Sequence, residues 1–214
     1  MILLTGFEPF GGDTANPSWA AARSAARLLQ SEGLDVQAVE LPCVFGESAK
    51  VLAEALERFT PELVLCAGQA GGRARISLER VAINCDDARI PDNAGNQPVD
   101  EPVVQGGPAA YFTSLPVKAA LAALSAEQIP AEVSQSAGTY VCNHVFYALM
   151  HALRLRPGTR GGFVHVPYED TQLPAGSSAP SLPAAQMAAA LAVVVRTALA
   201  TAAADLKLPA GATH

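Results

Sequence analysis

At 214 residues, with 50% of them apolar and 16% charged, the chain is long enough to bury a core without metal or disulfide staples and too apolar to be disordered. Its formal net charge of −6 comes with no Lys/Arg cluster, so the basic stripe that nucleic-acid binding requires is missing. The N-terminus carries neither a basic flank nor an apolar run of signal length. The longest apolar stretch, Met187 to Ala204, is broken by Arg196 and dominated by alanine. The expectations are no membrane span and a cytoplasmic address. Cys43, Cys66, Cys85 and Cys142 show neither CxxC spacing nor the density of a disulfide scaffold, and read as free thiols.

In chain order, Ile2 to Gly6 is a compact apolar run that predicts a buried strand, and Asn16-Pro17-Ser18 opens a helix to about Gln30, with proline where the first turn tolerates it. Asp35 to Leu41 alternates as a strand, Gly46 to Phe59 has helical spacing, and Glu62 to Gly68 is a second buried strand. Arg73 to Asn84 reads as extended chain, with a hairpin leaving the main sheet as one form it can take. Asp86 to Gly107 holds three prolines and three glycines among polar residues and predicts a long loop, a class that in compact domains is usually functional. A helix over Val117 to Gln128, a strand near Ala131 to Ser136, a helix from about Cys142 and a strand over Gly162 to Val166 follow. A second loop, Glu169 to Pro180, precedes an alanine-rich helix from Pro183 to Ala203, and Leu208 to His214 reads as a frayed tail. Strands alternating with helices imply an open, mostly parallel twisted sheet with helices on both faces, an α/β/α sandwich, here as one catalytic domain over residues 1–214. Ligands bind such sheets at the carboxyl ends of the strands.

Three residues there are candidates to carry chemistry. Cys142 follows Ala137-Gly138 where a helix begins, and the free N–H groups of a helix start stabilise a thiolate. Cys43 adjoins a proline, Cys66 lies inside Leu63-Val-Leu-Cys-Ala, and Cys85 follows Val-Ala-Ile-Asn, all compatible with packing. His165 ends the strand Gly-Gly-Phe-Val-His and is placed to act as base. Glu79, flanked by apolar residues, is placed to orient the imidazole. On pattern alone each keeps a plainer reading: a small residue at a buried helix start, a core histidine, an edge-strand carboxylate facing solvent. His144 and His151 lie on one helical stripe pointing away from Cys142 and read as structural. No second cysteine or carboxylate pair completes a metal site. The stretches Gly11-Gly12 and Gly68-Gln-Ala-Gly71-Gly72 lack the companions of a phosphate cradle and equally suit close approach to a small neutral ligand.

Longer motifs add to this reading: Thr5-Gly-Phe-Glu-Pro-Phe-Gly-Gly12 with Asn16-Pro17, Gly68 to Gly72 leading to Ile76-Ser-Leu-Glu-Arg-Val-Ala-Ile-Asn84, and Ala88-Arg-Ile-Pro-Asp-Asn-Ala-Gly-Asn-Gln-Pro98. They continue in Ser134-Gln-Ser-Ala-Gly-Thr-Tyr-Val-Cys142-Asn and Phe163-Val-His165-Val-Pro-Tyr168. In these motifs, over nearly its whole length, the chain resembles the type I pyroglutamyl peptidases, also called pyrrolidone carboxyl peptidases. The resemblance implies a Glu79–Cys142–His165 triad and removal of N-terminal pyroglutamyl residues from peptides through a thioester acyl-enzyme. It implies no metal or organic cofactor, a cytoplasmic location and a homotetramer. By motif position it places Phe7 and Phe10 against the lactam ring, Tyr140 and Val141 closing the pocket, and Gln69 at the polar lactam edge, with Arg89 and the Cys142 backbone N–H as oxyanion donors. A flat, neutral lactam suits apolar walls with a few fixed hydrogen bonds. Two residues depart from the family pattern: Cys43 stands where relatives carry threonine, and Tyr140 where phenylalanine is frequent. A glutamine amidotransferase would also join Cys, His and Glu on an α/β sheet, but the Gly-x-Cys-x-Gly elbow of those enzymes is absent. A binding module with an inert thiol is the non-enzymatic alternative.

Overall fold

The computed structural model describes residues 1–201 and 204–211. Its centre is a six-stranded sheet built from β1 (Ile2–Phe7), β2 (Val36–Leu41), β3 (Leu63–Gln69), β4 (Ile76–Glu79), β7 (Ala131–Ser134) and β8 (Arg160–Val166), in the order β2-β1-β3-β8-β4-β7. β2, β1, β3 and β8 run parallel; β4 is antiparallel to β8, and β7 follows β4. The sheet is therefore mostly parallel, as the alternation of elements predicts.

Alternation along each strand divides the interior in two. Leu65 and Ala67 of β3, Val164 and Val166 of β8, and Ile76 and Leu78 of β4 join one cluster with α1 (Pro17–Ser31), α3 (Val117–Ala126) and α5 (Ala184–Ala200). Val64 and Cys66 of β3 and Phe163 of β8 join the other, with α2 (Glu47–Phe59) and α4 (Val141–Leu153). Helices thus cover both faces. α1 lies so close to β1 that a Cβ on Gly6 would meet the Trp19 Cα at 2.5 Å. Asn16 caps α1, accepting from the Ser18 N–H at 3.0 Å, and Pro17 takes the first helical position, where its missing N–H costs nothing.

The extended chain from Arg73 to Asn84 does not fold on itself as a hairpin. It breaks at Arg80: β4 stays in the main sheet, and β5 (Val81–Ile83) leaves to pair antiparallel with β6 (Ala110–Phe112). A second short ribbon joins β9 (Tyr168–Glu169) to β10 (Ser181–Leu182). The loop after β5 is pinned at Asp86 and Glu101. Buried Asp92 folds it back, its Oδ1 accepting from the backbone N–H groups of Ala94 and Asn96 and its Oδ2 from the Phe45 N–H at 2.8 Å.

The last helix was expected to reach Ala203; α5 ends at Ala200, and residues 202 and 203 lie outside the described residues, as do 212–214 of the expected frayed tail. Two residues near that end, Asp205 and Leu208, are bonded to α3. Asp205 accepts from the Lys118 and Ala119 N–H groups, each at 2.9 Å, capping the start of α3 in place of a local side chain, and the Lys118 ammonium donates to the Leu208 carbonyl. No helix among the described residues is long and apolar enough to cross a membrane.

Candidate active site

β3 and β8 lie side by side at the centre of the sheet, and their register sets Gly68 opposite His165. β4 comes from the other direction, so its last residue, Glu79, pairs with Phe163, two residues below His165. Both side chains point to the α4 face. There the His165 Nδ1 and the Glu79 Oε1 are 2.8 Å apart, with the carboxylate wholly buried and the imidazole nearly so. An ionised carboxylate only accepts, so Nδ1 carries the proton, and Nε2 is left with a free lone pair.

Glu79 is held from above as well. Arg73, on the loop between β3 and β4, donates from Nη1 to the same Oε1 at 2.6 Å and to the Ser134 hydroxyl at 3.3 Å, while its Nη2 donates to the Ser136 carbonyl at 3.0 Å. The guanidinium supplies the counter-charge that a buried carboxylate needs to stay ionised.

α4 supplies the sulfur. Tyr140 is the cap residue and Cys142 the second residue of the helix, as its neighbours predict. The backbone N–H groups of Val141, Cys142 and Asn143 donate to no protein acceptor among the described residues, leaving the start of the helix able to receive an anion. Asn143, fully buried, pins this turn to β5 and beyond: it accepts from the Ile83 N–H and donates to the carbonyls of Ile83 and Cys85. The Cys142 Sγ rests against Gly68, where a Cβ would come within 2.7 Å of it. Cys142 and His165 line one cavity of about 410 Å³.

The helix start was expected to lower the thiol pKa, and the structure reverses that. Burial pushes the Cys142 thiol up, and the nearby Cys43 and Glu79 push it further, with Arg73 acting the other way. Loss of hydration disfavours the charged thiolate and so raises a thiol pKa. His165 is pulled down, first by burial and also by Arg73, against the upward pull of Glu79. Both shifts favour the uncharged forms, a thiol and an imidazole lining one cavity, an arrangement suited to general-base activation when substrate arrives.

Phe7, Phe10 and Tyr140 form aromatic walls of the cavity, with Gln69 and Arg89 at its polar edges. Of the pocket residues expected from the sequence, Val141 alone is not among the lining residues: its side chain is fully buried in the core beneath α4. Cys43 and Tyr140 meet here, since the Tyr140 hydroxyl sits beside the Cys43 thiol and donates to the Pro91 carbonyl at 3.1 Å. Burial, with Glu8 and Asp92 nearby, raises the Cys43 thiol to about 12, and burial does the same to Cys66. All four cysteines are free.

His144 and His151 face elsewhere, as expected. His144 bonds Asp86 through Nδ1 at 2.7 Å and accepts the Gly46 N–H through Nε2, while the His151 Nδ1 bonds the Tyr111 hydroxyl at 2.8 Å. A larger recess of about 620 Å³ beside α3 and β7 is lined by Arg75, Leu121, Ile129 and Leu208 among others and holds no nucleophile with a base. No group of three or more metal-ligating side chains occurs among the described residues.

The family model described as pyroglutamyl peptidase matches residues 1–201. The chain belongs to the pyroglutamyl peptidase family. It is 55% identical to the pyrrolidone-carboxylate peptidase of Streptomyces coelicolor, over 100% of this chain and 99% of the relative. It is 53% identical to that of Klebsiella pneumoniae, over the same shares. Among solved structures, it is similar to pyroglutamyl peptidase I from Bacillus amyloliquefaciens, with a TM-score of 0.91, 47% identity and coverage of 97% of this chain and 98% of that one. A mutant pyrrolidone carboxyl peptidase from Pyrococcus furiosus matches with a TM-score of 0.84 at 40% identity, over 93% and 98%. As a member of this peptidase family the chain is a cysteine-type hydrolase. Two polar residues that line its cavity were passed over as site residues in the sequence, Asn16, read only as a helix start, and Arg73, one residue beyond the Gly68–Gly72 motif, as was Gln172, in the second loop, whose side chain bonds Gln69.

Proposed function

We propose that this pyroglutamyl peptidase removes the N-terminal pyroglutamyl residue from peptides with Cys142 as nucleophile, His165 as general base and Glu79 as the carboxylate that orients it. The observation carrying this is the buried 2.8 Å contact between Glu79 and the His165 Nδ1, which turns the basic Nε2 toward the cavity shared with Cys142. His165 takes the thiol proton as sulfur bonds to the pyroglutamyl carbonyl carbon. The tetrahedral oxyanion meets the unclaimed N–H groups at the start of α4, with Arg89 at the cavity edge as a second donor. Collapse breaks the carbon–nitrogen bond, and His165 passes its proton to the departing amine. Water, deprotonated by the same imidazole, then attacks the thioester, releases pyroglutamate and returns the proton to sulfur.

The lactam ring lies against Phe7, Phe10 and Tyr140, with its polar edge at Gln69, and Val141 contributes through its backbone at the cap of α4. We extend the proposal, on the family resemblance, to a cytoplasmic homotetramer whose subunit is one catalytic domain over residues 1–214 and which uses no cofactor. Comparing kcat/KM for pyroglutamyl, prolyl and glutaminyl anilides tests the specificity. Prolyl lacks the ring carbonyl and brings an ammonium between aromatic walls, so pyroglutamyl should be preferred by about 10⁴; turnover of prolyl within tenfold of pyroglutamyl refutes lactam recognition. Sedimentation of the purified protein tests the tetramer.

A further inference from the structure

Resting on the lactam-binding reading above, we propose that Gln172 is a positioning residue. It locks the Gln69 side-chain amide so that a donor, not an acceptor, faces the lactam ring carbonyl.

The orientation follows atom by atom from a backbone group. Gln172 closes a 3₁₀ turn, Asp170–Gln172, that follows β9. The Glu169 N–H donates to the Gln172 Oε1 at 2.7 Å. A backbone N–H cannot accept, so the atom it meets must be the amide oxygen, and the other end of that amide is the NH₂ group. The Glu169 side chain faces back toward the Gln172 backbone in a capping-box arrangement. The Gln172 Nε2 then has two acceptors, the Ala15 carbonyl and the Gln69 Oε1, each at 3.2 Å.

That second contact settles Gln69. Its oxygen is taken, so its Nε2 lies on the opposite side. Gln69 is the last residue of β3, only 8% exposed, and lines the cavity. Its Nε2 has no protein partner among the described residues and is not one of the fully enclosed unpartnered atoms, so it opens on the cavity. The lactam carbonyl oxygen is an acceptor that this donor satisfies; a prolyl ring offers nothing there. Left to itself, a glutamine amide rotates by half a turn at little cost and presents either polarity. Gln172 removes that freedom.

The test uses two variants of the full chain. Gln172→Leu frees the Gln69 amide and should lower kcat/KM for a pyroglutamyl anilide roughly five- to tenfold, mostly through KM. Gln172→Glu keeps an acceptor for the Glu169 N–H but offers only acceptors to Gln69. Its amide must turn over, and its oxygen then opposes the lactam carbonyl, a loss on the order of 100-fold. Residual turnover of the prolyl anilide should not fall in either variant. In a Gln69→Leu background both substitutions at Gln172 should have no further effect on KM. Loss in that background as large as in the wild type would overturn the assignment, because Gln172 would then act through the loop and not through Gln69. Values within twofold of wild type for Gln172→Leu would overturn it too, and that variant decides alone if Gln172→Glu fails to fold. A wild-type enzyme inactive on pyroglutamyl substrates would instead refute the lactam reading, and this assignment would fall with it.

Discussion

The sulfur of Cys142 rests on the bare backbone of Gly68. A Cβ added there would stand 2.7 Å from Sγ and 2.8 Å from the Phe163 ring, with Phe163 fully buried and unable to retreat. Gly68→Ala should therefore displace the proposed nucleophile. A shift of about 1 Å in a reacting group can cost about 100-fold in rate, and overpacking of this kind costs about 1–3 kcal/mol of stability. The expected outcome is a folded protein with a lowered melting temperature and kcat reduced on that scale, read by steady-state kinetics and calorimetry.

Replacing the three central residues should produce graded losses. Cys142→Ser keeps the fold and abolishes turnover, because the serine hydroxyl is a far weaker nucleophile in this setting. His165→Ala removes the proton acceptor and should slow acylation about 10²- to 10⁴-fold, and Glu79→Gln, which leaves the base in place but less well held, should slow it less. Serine at Cys43, Cys66 or Cys85 should preserve the chemistry, with stability lost at the buried positions. Single-turnover acylation rates check the order.

The pH profile should show its acid limb below the ordinary histidine value of about 6.5. Burial holds the His165 pKa down, so the neutral base persists until the pH falls beneath that lowered value, and kcat/KM declines only then. The same sign applies to stability: a histidine whose folded pKa is depressed contributes stability above its unfolded pKa and loses it as the pH falls through the folded one. With the thiol also raised, its proton is in flight during attack, and acylation should show a normal solvent isotope effect. An acid limb at or above 7, or no isotope effect, contradicts a neutral resting pair.

Arg73 should matter through Glu79. Arg73→Met removes the one permanently charged partner of the buried carboxylate among the described residues. With the guanidinium 30% exposed and its field partly screened by solvent, the stability cost should be roughly 1–3 kcal/mol. Arg73 also lowers the His165 pKa, so its loss should move the acid limb of kcat/KM upward. Arg73→Lys retains the charge without the fork that reaches Ser134 and Ser136, and should restore the position of the limb but not all of the stability. Thermal melts and pH–rate profiles separate the two effects.

Residues whose role follows from local pattern were legible in the sequence. Asn16 and Pro17 announce the start of α1, compact apolar runs mark β1 and β3, and Cys142 and His165 stand at ends of elements where open sheets do chemistry. Glu79 was ambiguous because alternation cannot tell an edge strand from an inner one; β4 lies between β8 and β7, which turns an apparent surface carboxylate into a buried one. β6, three largely exposed residues, has no periodicity to read. Arg73 lies on a loop and Gln172 in a short 3₁₀ turn, and their links to Ser134 and Gln69 cross 61 and 103 residues of sequence, so topology is needed to reveal them. The thiol pKa was misjudged for a related reason: a helix start is visible locally, whereas the burial that raises the pKa belongs to the whole fold.

The division of the interior by the sheet has a consequence for how the chain tolerates change. Phe7, Cys43, Val141 and Phe163 all pack in the cluster beneath α2 and α4, so the reacting groups and the core that supports them share one side. Among the described residues, the layer of α1, α3 and α5 reaches the cavity at Asn16, the cap of α1, and otherwise lies behind the strands. Substitutions in that layer should alter the amount of folded protein while leaving turnover per folded molecule almost constant, and those on the other side should alter both. A saturation library scored separately for abundance and for activity would show the two layers as two populations, and stabilising mutations are best sought on the silent side.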